Sequence, residues 1–375
     1  MNVSRTLILS FLTVAFVLFS ARARGQGFFK NYSPATSGCR DLVETPDGGF
    51  FMAGEIASTG QMFLQKVNSA GTIEWTHHLS LNGARAIALC ISPAGNYIVL
   101  GENYAESGKL KNIVLQLSPN GDILWQTVVN NTLLPNGLKD VIPTADGNLI
   151  AAGNTRDATL NYNIWLVKIG IDGTLLWSKS IGDPSVNEQV SRLLELPDGR
   201  IVVSGSGQQG GDGNLFLAKT DAYGNLIWQN WYAKPGRQYA SDLMQTSDGG
   251  LLLLGDTYEI NPTRITLLKT DTAGTEEQYT QLPGNSIGSL YVINSFARDD
   301  ADNVYIPGYL LESANTIESV FMLKVDAAGS VVWKNTLVST QPDIPWQIIH
   351  TTDNRFAIGG GLNAPSGAFF IKNNT

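Results

Sequence analysis

Apolar and polar positions follow one scheme from residue 41 to the end of the chain. The segment DLVETPDGGFFMAG (41–54) sets one short apolar run against another across a Pro-Asp-Gly-Gly turn. It recurs as ALCISPAGNYIVLG (88–101), DVIPTADGNLIAAG (140–153), RLLELPDGRIVVSG (192–205), DLMQTSDGGLLLLG (242–255), SFARDDADNVYIPG (295–308) and QIIHTTDNRFAIGG (347–360). The closing glycines, from Gly54 and Gly101 to Gly308 and Gly360, lie 47 to 53 residues apart. Apolar runs of this length bounded by Asp-Gly or Asp-Asn read as strands, and those dipeptides tolerate the positive φ of a two-residue hairpin turn. Each copy therefore predicts a β-hairpin.

After a variable stretch, a second pair of runs follows. The first carries a lysine near its end (FLQKV, NIWLVKI, LFLAKT, ITLLKT, VFMLKV); a turn of D-x-x-G type leads from it to a run with tryptophan. Trp75, Trp125, Trp177, Trp228 and Trp333 each stand four residues after a turn glycine, and Gln278 takes that place in the fifth unit. Four antiparallel strands at a period near 50 predict β-propeller blades. A solenoid would show capping repeats at its ends, and none is evident. The first hairpin occurs seven times and the second six, so the chain stops at AFFIKNNT (368–375) one outer strand short. GFFKNYSPATSGCRDL (27–42) is similar to NLIWQNWYAKPGRQYASDL (225–243), with Phe29 in the tryptophan column, and can supply that strand. The expected fold is all-β: a single domain over residues 26–375, a seven-bladed β-propeller of four-stranded antiparallel blades. Its ring is closed by the N-terminal strand completing the last blade, which leaves no open edge.

These D-x-x-G-x-x-x-W units resemble those of secreted bacterial β-propeller repeat proteins of the quinoprotein-like, delta-60 type. The resemblance spans nearly all of residues 26–375. It implies the propeller fold and no single activity, because such folds host many. Quinoprotein dehydrogenases of similar fold carry adjacent cysteines at their cofactor, and this chain has none.

The 39 glycines and only 15% charged residues suit a glycine-rich all-β chain. Net charge is −8 with no basic cluster, which argues against nucleic acid or an anionic membrane surface as partner. The N-terminus has Arg5, an apolar run from Leu7 to Phe19, and small-x-small sites at Ala21-Arg22-Ala23 and Ala23-Arg24-Gly25. Residues 1–25 read as a secretory signal peptide, which places the protein in a secreted or periplasmic compartment with no membrane span after cleavage. A retained anchor is the other reading. Cys39 and Cys90 are too few for a disulfide framework. His77 and His78 are neighbours on one outer strand and point to opposite faces, and His350 is in another unit, so they make no metal site, and no nucleophile elbow, zinc motif or phosphate loop is present. No cofactor is expected, and the chain is expected to be monomeric.

A residue repeated in most blades serves the blade. The tryptophan column is read as docking one blade on the next, and the lysine column (Lys66, Lys168, Lys219, Lys269, Lys324, Lys372) as stems packed on apolar surface with heads near the turn. Function is expected on the face where the long loops gather. Two candidate sets lie there. One is a ring at the start of the innermost strands, with Asp41, Asp140, Arg192 and Asp242 among Ala88, Ser295 and Gln347. It either holds a cation or polar ligand, or bonds backbone N–H groups of its own loops. The other is aromatic: Tyr104, Trp231, Tyr232, Tyr239, Tyr258, Tyr309 and Trp346, which either bind a sugar or peptide or seal loops. The leading functional expectation is an extracytoplasmic binding or scaffolding module for a protein or carbohydrate ligand. The alternatives are a glycan-active hydrolase or lyase using channel carboxylates such as Glu44 and Glu195, and a structural subunit of an envelope complex. Enzymatic activity is left open, with binding favoured.

Overall fold

The computed structural model describes residues 28–32, 37–56, 58–81, 84–104, 110–129, 137–156, 161–183, 185–209, 212–258, 264–282, 290–291, 294–312, 316–337, 343–362 and 368–374. The signal-peptide and anchor readings concern residues 1–25, outside this set. The described residues form strands joined by turns, with no helix.

The strands make six hydrogen-bonded sheets: four of four strands, one of five and one of eight. This corrects the expected seven blades. The strands Asp343–His350, Arg355–Leu362, Ala368–Asn374 and Phe28–Tyr32 do not form a separate sheet. They join Ser37–Glu44, Phe50–Ile56, Gln61–Val67 and Ile73–Leu79 through the pair Gly38 and Gly361. The cause is local. A Cβ built on Gly361 would lie 3.1 Å from the Gly38 Cα, so only two bare backbones can come this close. The first and last repeats therefore share one ladder, and the all-β propeller has six sheets.

The N-terminal strand Phe28–Tyr32 pairs antiparallel with Ala368–Asn374. Its register corrects one detail. In every other repeat the lysine-column position faces the tryptophan-column position, as in Lys66 with Trp75 and Lys219 with Trp228. Lys372 faces Phe28, so Phe28 and not Phe29 occupies the tryptophan column. The hairpin loops also differ from expectation. Thr45 N–H bonds the Gly49 carbonyl and Gly48 N–H bonds that of Thr45, which leaves three loop residues rather than two. Gly48 takes φ 74°, and Asp302 and Asn354 take φ 59° at the equivalent place.

The D-x-x-G-x-x-x-W motif has a physical explanation. Each turn glycine has positive φ, and at Gly121, Gly173, Gly224 and Gly274 the tryptophan of the preceding repeat lies against it. A Cβ on Gly173 would meet Trp125 at 2.8 Å, one on Gly224 would meet Trp177 at 2.8 Å, and one on Gly274 would meet Trp228 at 2.7 Å. Trp75 and Trp125 also donate their indole N–H to Pro119 and Ile171 carbonyls of the next turn, at 3.0 and 2.9 Å. Gln278 keeps that bond, to the Ala328 carbonyl at 2.9 Å, but not the ring. A cavity of about 50 Å³ remains beside it, lined by Leu252, Leu267, Val304 and Gly329 among others.

Several lysines of the column clamp the hairpin turn of their own repeat, whereas Lys219 donates to the Thr272 carbonyl of the next repeat at 2.9 Å. Lys66 is 1% exposed, and its ammonium bonds Asp47 and Glu74. Lys168 reaches Thr144 and Asp146 in the same way. Burial works against the Asp47 charge, but hydrogen bonds from Thr45, Lys66 and the Gly49 N–H outweigh it and hold its pKa at about 2.

Candidate functional site

Six of the innermost strands carry a β-bulge near their start. The register skips Arg40, Ile87, Lys139, Ser191, Ser241 and Trp346. A bulged residue escapes the strict in-out alternation of a strand, which lets it aim its side chain where the pleat would not. All six line one funnel of about 310 Å³ on the long-loop face, with Asn294 from the sheet whose innermost strand is interrupted. The bulge is the signal that sequence reasoning missed: the bulged residues stand one position before the ring that was singled out, although Arg192 of that ring and the aromatic candidate Trp346 line the funnel themselves.

That ring, Asp41, Asp140, Arg192 and Asp242, is brought together just below the funnel. Each aspartate uses one oxygen on the N–H of the next residue and the other on the neighbouring repeat. Leu89 N–H donates to Asp41 at 2.7 Å, Leu193 N–H to Asp140 at 3.1 Å, and Phe296 N–H to Asp242 at 3.1 Å. Ser295 does the same for Ile348 N–H at 3.4 Å. The carboxylates thus tie one innermost strand to the next. Burial raises the Asp41 and Asp242 pKa values, against the pull of Arg192 and of their backbone donors. Arg192 lies 3.3 Å from Asp242 and 3.8 Å from Asp140, and crosses the channel to the Gln347 side-chain carbonyl at 3.1 Å. Burial opposes its charge as well, but Asp242, Asp140 and Asp41 more than compensate, and it stays protonated.

At the rim, the Arg40 guanidinium lies 4.8 Å from the centre of the Trp346 ring and also pairs with Glu55. Arg85 pairs with Glu102. Lys139 is exposed, and among the described residues its ammonium has no ion pair or hydrogen bond.

The other aromatic candidates do not converge on the funnel. Tyr239 and Tyr258, 39% and 40% exposed, meet edge to face at 5.6 Å beside a second recess. Trp231 packs on Phe216 at 5.2 Å beneath that recess. Tyr232 is buried and donates to the Gly274 carbonyl at 2.7 Å, and Tyr309 is buried. The Tyr104 side chain lies outside the described set. Glu44 and Glu195 bond turns of adjacent repeats, at Thr352 and Ala145 N–H, both at 2.7 Å. Among the described residues no group of three or more His, Cys, Asp or Glu is placed to hold a metal, and both cysteines are buried and free.

No protein-family model matches this chain, and no curated protein matches it in sequence. Its similarity is to solved structures, at the level of fold. YCF48 bound to D1 peptide superposes with TM-score 0.57 at 12% identity, over 94% of this chain and 96% of that one. Raptor of Chaetomium thermophilum gives 0.59 at 8% identity, over 92% of this chain but 29% of that one. The alpha-L-arabinofuranosidase of Fusarium graminearum in complex with arabinobiose gives 0.52 at 12% identity, over 76% and 93%. These neighbours have diverse functions. They define the class as β-propeller, and no finer family is shown.

Proposed function

We propose that this protein is an extracytoplasmic binding module that captures an extended, carboxylate-bearing segment of a partner protein in the funnel of its long-loop face. The observation that carries the proposal is Lys139, a cation with no ion pair among the described residues, at the mouth of a funnel in a chain of net charge −8. An exposed ammonium near a low-dielectric wall attracts a carboxylate more strongly than the same group on an open surface. Trp346 with Arg40 offers a flat apolar face, and Ser191, Ser241 and Asn294 offer hydroxyls and an amide to a peptide backbone. The fold neighbour that holds a peptide is consistent with this use of the scaffold.

The test is titration of fluorescent peptides graded from acidic to basic, at low and high salt. Acidic peptides are expected to bind, more weakly as salt rises. Lys139→Glu should lower affinity at least about tenfold, equivalent to about 1.4 kcal/mol, and Trp346→Ala should weaken it independently of salt. Equal binding of acidic and basic peptides, or an unchanged affinity in Lys139→Glu, refutes the proposal.

A further inference from the structure

A second recess of about 350 Å³ opens on the same face between the third, fourth and fifth repeats. Its lining differs from the funnel. Gln189 and Gln208 present exposed primary amides, Arg237 an exposed guanidinium, and Tyr239 an exposed ring supported edge-on by Tyr258. Among the described residues Arg237 makes no hydrogen bond or ion pair. Arg156 lies 4.3 Å from the centre of the Tyr162 ring and donates to its hydroxyl, and its buried Nε has no acceptor. Among the described residues no carboxylate lines the recess.

The backbone is bare where side chains would fill the space. A Cβ on Gly213 would stand 2.9 Å from the Arg237 side chain, and one on Gly207 would stand 2.3 Å from the Asn187 carbonyl and 2.8 Å from Trp231. A cavity of this volume reaches the lower range of small-ligand sites. Aliphatic walls are missing, so an apolar ligand would gain little there. A primary amide is donor and acceptor at once and matches a hydroxyl, which is both as well. An unpaired guanidinium is a fork for a carboxylate. A tyrosine ring gives the C–H face of a pyranose something to pack on.

We infer that this recess is a saccharide subsite for a carboxylated sugar unit, with Arg237 on the carboxylate, Gln189 and Gln208 on hydroxyls and Tyr239 on the ring face. It is separate from the funnel and does not depend on the peptide reading.

Calorimetric titration of the full chain with cellobiuronic acid and with cellobiose, two disaccharides that differ by one carboxylate, tests it. Cellobiuronic acid is expected to bind at least about tenfold more tightly than cellobiose. Arg237→Gln should erase that preference while leaving the weaker neutral binding in place. Tyr239→Ala should weaken both sugars, and Lys139→Glu should change neither. The inference is overturned if neither disaccharide binds, if both bind alike to the unaltered protein, or if Arg237→Gln retains the preference.

Discussion

Gln278 stands where other repeats place an aromatic ring, and replacing it with tryptophan should make the protein more stable. The magnitude comes from the space the ring would fill. The cavity beside Gln278 measures about 50 Å³, and unfilled core volume costs about 24 cal/mol per Å³, so filling it returns about 1.2 kcal/mol. Leu252 reports the same gap: it is 8% exposed, whereas Phe51, Ile98, Ile150 and Val202 at the equivalent position are 0%. The hydrogen bond to the Ala328 carbonyl is retained, because an indole N–H makes the same bond from Trp75 and Trp125. Overpacking, which typically costs about 1–3 kcal/mol, is the opposing effect. It should be small here, since glycine already stands opposite as Gly329, as it does under Trp125, Trp177 and Trp228. Equilibrium unfolding in guanidinium chloride, read by fluorescence and circular dichroism together, gives the difference if the two signals coincide. A Gln278→Trp protein that folds normally and is no more stable than its parent refutes the argument that this position is an under-filled ring socket.

Two further outcomes follow from described features. Burial raises the Glu188 pKa from 4.5 to about 7, against hydrogen bonds from Gln229 and the Asp183 N–H, and one of its oxygens has no partner. The folded chain then keeps a proton that the unfolded chain releases, so stability should fall as pH rises from 4.5 to 7 and level off above; the contribution is at most about 3 kcal/mol. Glu188→Gln should make that part of the profile less steep when unfolding midpoints are compared at about pH 5 and about pH 8, without flattening it, because Asp41, whose shift is at least as large, and Asp242 and Asp256 are also raised by burial and act in the same direction. Deleting residues 28–32 removes the partner of Ala368–Asn374 and should lower the unfolding midpoint clearly and increase aggregation from the exposed edge. A truncated chain that melts like the parent would show that this pairing contributes nothing.

The repeat unit was legible because its parts are local. Turn glycines, the hairpin dipeptides and the residue four after each D-x-x-G glycine are fixed by φ and by strand period, and the tryptophan column lies where that spacing puts it. The number of sheets was not legible. Seven copies of a hairpin do not show that two of them share a ladder; that depends on Gly38 and Gly361 meeting across almost the whole chain. Phe28 against Phe29 was a question of register, and a single-residue slip has no signature in a short terminal strand. The candidate site was legible to within one residue. Aspartate at the start of innermost strands pointed to the channel, but those carboxylates tie neighbouring repeats together. The residues that face the funnel are the bulged ones before them, and a bulge adds one residue without changing the apolar pattern around it. Tyr232 and Trp231, adjacent at the end of the strand Leu226–Tyr232, separated on folding because successive strand residues take opposite faces.

The pairing of Phe28–Tyr32 with Ala368–Asn374 sets an order of events. The strand Phe28–Tyr32 has its ladder partner more than 330 residues further along, so this pairing cannot form until residues 368–374 exist. Loop-closure entropy grows only slowly with length, but contacts between distant segments form late and slow the search. The strand Ala368–Asn374 therefore acts as a latch, which commits the fold only once both of these distant segments are present.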